Sequence, residues 1–392
     1  MLRNPGVSRI IGSQLLARFA FGMMSLGFVI AIQRTYHSYT LAGIALGAET
    51  VGAAIAGPIL AREIAKRGAR QLIGATTVIT SALLLLLALV TLHPVLVVLA
   101  GLGVGLSSPP IQASVRSIYP HLVSKNQQHR LFSLDATLQE LIWIFGPVLA
   151  TAIAAAVYPA ATLIAMALIQ ILGSGIYLSN PEVVRYKPEP TGARLGGVLK
   201  NPAIFGLMIS GGLLIGSFSG VEVGTVGILS TASAGWVLSV FSVGSLVGGF
   251  VIGPRAKSAK WMVWFQLLIF AGYLLSLINP QNPWWLALCW FIAGLGIAPA
   301  LGLGSTLVSL SLGAGETGEA YGWIMTGQLV GYSVGAAIAG FVIDTVSGQA
   351  AIFVAVVFQI ATIIATIAWL PSMPKMHPID NTQSIPVLPD HH

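Results

Sequence analysis

Charge is scarce in this chain of 392 residues, and cysteine is almost absent. Lys, Arg, Asp and Glu make up 8% of the residues, whereas about 25% is usual in a soluble domain. Hydrophobic residues make up 55%, which is more than a soluble core needs, so we predict an integral membrane protein. The single cysteine, Cys289, excludes an internal disulfide. The net charge of +7 forms no continuous basic patch, so we expect no nucleic-acid partner.

Apolar runs long enough to cross a bilayer recur along the whole chain. A crossing helix needs about 20 residues, which predicts an all-α protein with 12 transmembrane helices in the lipid bilayer. We number the runs as spans 1 to 12, and they lie near residues 10–33, 40–61, 71–92, 94–119, 131–157, 159–179, 202–226, 233–254, 261–279, 284–312, 320–346 and 350–370. Pro109-Pro110 and Pro299 predict breaks in spans 4 and 10.

The distribution of basic residues predicts the orientation. All but three of the 19 Lys and Arg lie before span 1, after an even-numbered span or in the tail. Cytoplasmic loops carry an excess of Lys and Arg, so we expect both termini to be cytoplasmic.

The stretch "AGLG" occurs in both span 4 and span 10, at residues 100–103 and 293–296. Spans 2 and 8 match at an offset of 192 residues, and spans 5 and 11 match at an offset of 189, which takes Gln139 to Gln328 and Gly146 to Gly335. These matches predict two parallel copies of a six-span unit. No strand precedes the glycines, so a nucleotide-binding loop is excluded, and small residues are expected to allow close helix packing.

The repeat divides the chain into four parts. We expect an N-terminal six-helix half (1–180), a cytoplasmic linker (181–201), a C-terminal six-helix half (202–371) and a disordered cytoplasmic tail (372–392). Two parallel six-span halves joined by a cytoplasmic linker resemble the major facilitator superfamily of secondary transporters. The resemblance implies a central cavity with a substrate site near the midplane. It also implies a monomer that is not an enzyme and needs no cofactor or metal.

Local motifs extend this resemblance. The loop "GPILAREIAKRGARQL" (57–72) is similar to the superfamily's signature between spans 2 and 3, although Ala65 replaces its usual acidic residue. We expect a cytoplasmic gate formed by this loop and two charged residues of spans 4 and 5, comprising Gly57, Arg62, Lys66, Gly68, Arg70, Asp135 and Arg116.

Span 5 carries a second motif. "GPVLA" (146–150), with Gly146 and Pro147, resembles the antiporter motif of drug exporters, although Ala150-Thr151 replaces its usual glycine pair. The stretch "LDATLQELIWIFGP" (134–147) resembles bacterial exporter-like members, which implies a bacterial cytoplasmic (inner) membrane.

Seven charged residues lie within the spans, where a charge costs about 2.5–3.5 kcal/mol at the bilayer centre. They are Arg18, Glu49, Arg116, Asp135, Glu140, Glu222 and Asp344. None lies in spans 3, 6, 9 or 12, which are the outer helices in the superfamily. This distribution favours a transporter over a membrane scaffold.

Depth suggests two ion pairs. Arg18 and Glu140 lie about 12 and 13 Å from the cytoplasmic ends of spans 1 and 5, which are neighbours in the superfamily. We hypothesise that Glu140 binds the coupling proton, because desolvation favours the protonated carboxyl and Arg18 favours the ionised one. The alternative is a fixed, structural ion pair. Glu49 is a second proton-site candidate. An Arg116–Asp135 pair is expected to be structural.

Other polar and aromatic residues are candidates for contact with substrate. They are Gln112, Gln139, Trp143, Ser305, Gln328 and Tyr332. Aromatic residues in membrane helices also serve as packing or lipid-facing groups. Glu222 and Asp344 lie near the outer span ends, where solvated carboxylates are expected.

These features predict proton-coupled export of small amphipathic molecules by alternating access. The alternative is an importer or facilitator of a sugar-like or other small metabolite on the same fold. The spans are poor in Asn, and a sugar site needs many hydrogen-bonding groups, which favours export. An intramembrane enzyme is disfavoured, because no paired catalytic Asp motif, zinc set or Ser–His pair occurs at a plausible depth.

Overall fold

A computed structural model describes residues 5–186, 194–229 and 231–376. This described part is built from α helices and short 3₁₀ turns, without a strand. The helices are α1 (Pro5–Tyr36), α2 (Tyr39–Arg67), α3 (Ala69–Leu89), α4 (Pro94–Leu106), α5 (Ile111–Leu122), α6 (Lys125–Ala156), α7 (Ala161–Leu178), α8 (Pro181–Arg185), α9 (Pro202–Ile228), α10 (Thr231–Val251), α11 (Trp261–Ser276), α12 (Pro283–Ser311), α13 (Ala314–Thr345) and α14 (Gly348–Trp369). The 3₁₀ turns are Gly197–Lys200, Gly253–Arg255 and Leu370–Ser372.

The all-α, multi-pass architecture predicted from the apolar runs is confirmed. In the described part, 11 helical segments are long and apolar enough to cross a membrane, with α4 and α5 forming one of them. The helix for span 9, α11, is also apolar but has only 16 residues.

The predicted break at a proline is confirmed in span 4 and wrong in span 10, where a kink at Pro299 stays a prediction. The chain leaves the helix between Leu106 and Ile111, whereas α12 continues through Pro299. Two consecutive prolines remove two backbone donors, but a single proline removes one. In membrane helices, neighbouring helices and side chains can satisfy the backbone groups that one proline frees.

The same helix pairs form in both repeats. In the first repeat, α1 packs on α7, α2 packs on α4, and α3 packs on both α4 and α7. In the second repeat, α9 packs on α14, α10 packs on α12, and α11 packs on both α12 and α14. These corresponding pairs confirm the internal repeat.

The "AGLG" stretches are helix-packing surfaces, as predicted. A Cβ on Gly101 would lie 2.6 Å from the carbonyl oxygen of Ala45 on α2, and Gly103 faces α3. In the second copy Gly294 meets α10 in the same way, and Gly296 meets α11. The first glycine of each copy therefore faces the second helix of its repeat, and the next faces the third.

The described residues form two compact units that do not follow chain order. The first unit contains residues 5–122, 141–186 and 314–322, and the second contains 123–140, 194–229, 231–313 and 323–376. Each unit thus includes the first turns of a long helix, α6 or α13, whose remainder belongs to the other unit. Both helices begin six residues before their predicted spans.

The division into halves, linker and tail stays a prediction. The linker region contains α8 and the Gly197–Lys200 turn, while residues 187–193 lie outside the described part. Residues 377–392 of the tail also lie outside it.

Candidate functional site

The motif loop joins α2 to α3 in the first unit. Gly68 occupies φ 80°, ψ 152°, a backbone conformation that L-residues other than glycine rarely adopt. It ends α2 and allows α3 to begin at the next residue. Lys66 and Arg67 both donate to the Glu63 carboxylate, at 2.7 and 3.1 Å. The sequence prediction of a loop over residues 57–72 was wrong in extent, because residues 57–67 belong to α2 and residues 69–72 to α3, which leaves Gly68 alone between the helices. It also overlooked Glu63 as the local counter-charge.

Arg62 of the motif reaches a carboxylate far along the chain. Its guanidinium lies 3.7 Å from Glu319 in the first turns of α13, and Glu319 is only 3% exposed. Arg70 is exposed and lies at the start of α3. Arg62 thus connects the loop to residues 314–322, whereas Lys66 stays within α2.

The first turns of α13 pack directly against α2 in the same unit. A Cβ on Gly322 would lie 2.5 Å from the Cα of Pro58, and a Cβ on Gly318 would lie 3.2 Å from the Ala61 carbonyl oxygen. Such approaches require glycine, because the neighbouring atoms belong to backbone. Arg116 of α5 lies 5.9 Å from the ring centroid of Tyr321. Arg116 is 7% exposed.

Tyr186 lies beyond span 6 and covers the same region of the first unit. Its ring lies 5.0 Å from that of His121, and it lines a small pocket with Ser114, Ser117 and Gly318. Among the described residues its buried hydroxyl has no hydrogen-bond partner. Burial raises the pKa of Tyr186 to about 12, so this hydroxyl stays neutral at physiological pH.

In the second unit, the first turns of α6 make contacts that correspond to those of the first turns of α13 in the first unit. His129 Nε2 donates to the Gly253 carbonyl oxygen at 2.6 Å, and its Nδ1 lies 3.2 Å from Thr306 Oγ1. A Cβ on Gly302 would lie 2.8 Å from the Cα of Ser133. The start of α6 is therefore packed closely on α12 and on the turn after α10.

The contacts at the start of α13 in the first unit and at the start of α6 in the second unit use equivalent positions of the two repeats. The offset of spans 2 and 8 takes Ala61 to Gly253, and the offset of spans 5 and 11 takes His129 to Gly318. In the first unit Gly318, at the start of α13, approaches the Ala61 carbonyl. In the second unit His129, at the start of α6, is hydrogen-bonded to the equivalent carbonyl of Gly253. The repeat was predicted from sequence. What was not predicted is that the start of each long helix, α6 or α13, belongs to the unit built mainly from the other repeat, an arrangement that we call the exchanged helix ends.

Arg18 is buried in the first unit, with 8% of its surface exposed. Its guanidinium donates to Gln14 Oε1 at 2.9 Å on its own helix and to Gln112 Oε1 at 3.1 Å on α5. Gln112 was predicted as a substrate contact, and the structure uses its amide oxygen to hold Arg18.

Glu140 is buried in the second unit, with 9% of its surface exposed. The hydroxyl of Ser245 on α10 lies beside its carboxyl. Asp135, one turn earlier, is fully buried. Arg18 and Arg116 belong to the other unit, so the Arg18–Glu140 and Arg116–Asp135 ion pairs stay predictions.

Glu49 is the most deeply buried carboxyl of the first unit's helix α2, with 3% of its surface exposed. Thr50 Oγ1 donates to its Oε2 at 3.4 Å, while Oε1 is buried with no hydrogen-bond partner among the described residues. The Gly105 backbone of α4 packs against the Glu49 carbonyl. Glu49 stays a candidate proton site, with the neighbouring Thr50 hydroxyl as a hydrogen-bond donor.

An aromatic pair lies where α6 crosses α1 in the first unit. Phe21 and Trp143 pack edge to face with ring centroids 5.6 Å apart, and Trp143 is 44% exposed. One turn further along α6, a Cβ on Gly146 would lie 2.9 Å from the Gly22 Cα. The side chain of Pro147 lies outside the described part.

The remaining candidates lie in the second unit. Tyr332 Oη donates to Glu222 Oε2 at 2.9 Å, and Gln328 lies one turn before Tyr332 beside Gly211. Ser305 is 5% exposed, and its hydroxyl donates to the Leu301 carbonyl oxygen of its own helix. Gln139 is half-buried next to Glu140.

Comparison with known families decides the class of the chain. The family model described as Major Facilitator Superfamily matches twice, at residues 10–228 and 222–384. The chain belongs to the major facilitator superfamily. It is a multi-pass membrane transporter and not an enzyme, and the two matches correspond to its two repeats. No curated protein sequence matches it.

Solved structures of other transporters share this superfamily fold. They include a bacterial homologue of the iron transporter ferroportin in an outward-facing state (15% identity, TM-score 0.75, covering 93% of this chain and 99% of that one). The human organic anion transporter MFSD10 matches at 14% identity and a TM-score of 0.73, over 92% and 98% of the two chains. The proton:xylose symporter XylE matches at 14% and 0.72, over 94% and 96%.

Besides Glu63, four residues of this superfamily member were missed by reasoning from sequence. Glu319, Tyr321 and Ser245 contact predicted residues, and His129 anchors the start of α6. Glu319 carried a detectable signal, because it is an acidic residue six residues into α13 and close to the predicted start of span 11. Nothing in the local sequence distinguishes Ser245 from the other helix serines. Among the described residues, no group of three or more His, Cys, Asp or Glu is placed to hold a metal ion.

Proposed function

We propose that this transporter exports small amphipathic molecules in exchange for protons by alternating access. It acts as a monomer in the bacterial cytoplasmic membrane, with both termini cytoplasmic. The observation that carries the proposal is the position of Glu140. This carboxyl is buried within a membrane-spanning helix, with 9% of its surface exposed.

The environment of Glu140 favours reversible proton binding. The neighbouring side chain is the neutral hydroxyl of Ser245, and desolvation disfavours an ionised carboxylate. Alternating access rocks one half of the protein against the other. We propose that this movement changes the access of water to Glu140, so that its proton is held in one state and released in another.

Glu49 supplies a second protonatable group in the first unit. Its Oε1 is buried without a hydrogen-bond partner in the described part. An ionised carboxylate in that position would carry a large desolvation penalty, so we propose that Glu49 is protonated here. Arg18, held by Gln14 and Gln112, provides the positive charge that favours proton release when the states exchange.

The motif loop and the exchanged helix ends are proposed to form the cytoplasmic gate. Arg62–Glu319 and the close approach of Gly322 to Pro58 hold the start of α13 on α2. The gate includes the predicted residues Gly57, Arg62, Lys66, Gly68, Arg70, Arg116 and Asp135. Gly146 and Pro147 are proposed to keep α6 close to α1 during the movement.

Substrate contacts are proposed on polar and aromatic side chains of both units. Trp143 and Tyr332 are 44% and 38% exposed, which suits a ligand with an apolar body. The proposed set is Gln112, Gln139, Trp143, Ser305, Gln328 and Tyr332. The solved relatives transport chemically different molecules according to their names, and at 14–15% identity they support the fold alone.

The test is proton release from everted membrane vesicles energised to an acidic interior. A pH-sensitive dye reports the gradient while lipophilic cations, antibiotics and sugars are added singly. We expect at least one amphipathic compound to collapse the gradient with wild-type protein, and Glu140→Gln to reduce that release at least about tenfold. Glu182→Gln, which removes a carboxylate of the linker helix α8, is the matched control and should behave as wild type.

Each alternative gives a different outcome. Equal release with wild type and Glu140→Gln would make Glu140 structural and move the coupling role to Glu49, tested in the same way with Glu49→Gln. No release by any compound, together with downhill sugar uptake that survives Glu140→Gln, would replace export with facilitated uptake.

A further inference from the structure

A carboxylate and a tyrosine face each other within the second unit, on helices that the coupling scheme above does not use. Tyr332 of α13 donates its hydroxyl hydrogen to Glu222 Oε2 of α9 at 2.9 Å. The two residues are 110 positions apart in the chain. Reasoning from sequence treated Glu222 as a solvated helix end, but the structure shows it bonded to another membrane-spanning helix.

The face shared by these two side chains is accessible. Tyr332 is 38% exposed, and Glu222 is half-buried. Ionisable side chains within membrane spans almost always face the protein interior or a water-filled space, because lipid contact would leave the charge unsolvated. The exposed part of this pair is therefore available to a solute.

The surroundings add aromatic and hydrogen-bonding groups. Gln328 lies one turn before Tyr332, and its Nε2 would lie 3.6 Å from a Cβ on Gly211. The missing side chain of Gly211 leaves the α9 backbone open beside the Gln328 amide. The hydrogen bond from Tyr332 orients the Glu222 carboxylate and leaves its other oxygen able to accept a further contact.

The two repeats differ at this place. The offset of 189 takes Trp143 to Tyr332, and each aromatic packs on the first helix of its own repeat. Trp143 meets Phe21, an apolar partner, whereas Tyr332 meets a carboxylate. The second repeat thus combines an aromatic ring with a negative charge. This combination binds organic cations, through charge attraction to the carboxylate and cation–π attraction to the ring.

We infer that Glu222 and Tyr332 form a subsite for the organic cation, an ammonium or phosphonium group, of the transported molecule. Glu222 supplies the counter-charge, Tyr332 supplies the ring and holds the carboxylate, and Gln328 borders the subsite. The statement that the bound molecule is transported rests on the proposed function. Binding at the subsite does not rest on it and is measured separately.

The test is equilibrium binding of radiolabelled tetraphenylphosphonium to the purified full-length protein in detergent. Triphenylphosphine oxide, a neutral molecule with the same phenyl groups, is the competing probe. We expect Glu222→Gln to weaken tetraphenylphosphonium binding about tenfold or more, since the attraction between the carboxylate charge and the cation is lost. Tyr332→Phe should weaken it about threefold, and Tyr332→Leu, which also removes the ring, should weaken it further.

Matched variants separate lost recognition from lost structure. Glu222→Asp retains the charge and should recover part of the affinity, while Glu182→Gln should leave binding as in wild type. Size-exclusion profiles check that each variant is folded. Equal binding by wild type and Glu222→Gln, competition by triphenylphosphine oxide as strong as that by unlabelled tetraphenylphosphonium, or no binding to wild type would overturn the subsite.

Failure of this inference is distinguishable from failure of the proposed function. Loss of all proton release with retained Glu222-dependent binding would remove proton-coupled export and leave the subsite. Proton release driven by neutral compounds, with no Glu222-dependent binding, would retain export and remove the subsite.

Discussion

At the scale of single residues, the motif loop depends on one glycine. Gly68 adopts φ 80°, ψ 152° between α2 and α3, and L-residues with a Cβ are strained in that region. Just before it, helix geometry alone brings Lys66 and Arg67 to Glu63 at the end of α2. The signature glycine is therefore explained by backbone geometry and needs no contact with substrate.

Gly68→Ala is expected to lower the free energy of unfolding by about 1–3 kcal/mol. Thermal unfolding of the purified protein in detergent measures the effect. The matched control is Gly74→Ala in the interior of α3, where an added Cβ meets nothing within 4 Å. That control should be neutral or stabilising by about 0.5–1 kcal/mol. Similar melting temperatures for the two variants would contradict the argument.

At the scale of elements, the first turns of α6 and α13 are the most informative segments. Each belongs to a unit built mainly from the other repeat. His129 bonds to Gly253 in one unit, and Gly318 and Gly322 pack on Ala61 and Pro58 in the other. Glycine permits the backbone approach in α13, whereas α6 uses a side-chain hydrogen bond at the equivalent place. The equivalent helix starts in the two units are thus held in place by different interactions.

Gly322→Ala is expected to loosen the start of α13 from α2. The added methyl would lie 2.5 Å from the Pro58 Cα, and backbone cannot yield as a flexible side chain does. The measurement uses a Cys289→Ser background with Thr317→Cys as a reporter, because Thr317 is only 4% exposed. Maleimide labelling should be faster with Gly322→Ala.

The control for that experiment is Gly313→Ala, just before α13, where an added Cβ meets nothing within 4 Å. It should label at the rate of the reporter alone. Unchanged labelling with Gly322→Ala would show that the approach to Pro58 does not hold this segment in place.

At the scale of the whole molecule, two six-helix repeats with the same internal helix pairs make a transporter of the major facilitator superfamily. Apolar helical segments of 16 to 31 residues provide the crossing segments, and the basic loops provide the asymmetry from which the orientation is predicted. Only Arg34 lies in a predicted loop on the far side. The predicted orientation therefore rests on the distribution of charge and does not depend on the substrate.

Reporter fusions check this orientation. Green fluorescent protein fused to the C-terminus should fluoresce, since it folds in the cytoplasm. Alkaline phosphatase fused after Gln281, between spans 9 and 10, should be active, because that position is expected on the periplasmic side. The opposite pattern at both positions would invert the orientation and place the proposed gate outside.

The sequence by itself determined that this chain is a helical membrane protein with two repeats. Hydrocarbon requires about 20 apolar residues for each crossing, and both repeats retain glycines where backbones meet, as at Gly101 and Gly294. Charge in the spans also identified Glu49 and Glu140 as candidates before their surroundings were known, because such residues are costly in lipid.

Only the tertiary structure decided which side chains meet. Arg18 bonds to Gln112, Arg62 lies beside Glu319, and Tyr332 bonds to Glu222. Depth along a helix is readable from sequence, since each residue rises 1.5 Å. Rotation about the helix axis is not readable in the same way, because these spans are apolar on most sides. Close packing of small residues on neighbouring helices sets that rotation and, with it, the partners of every buried polar group.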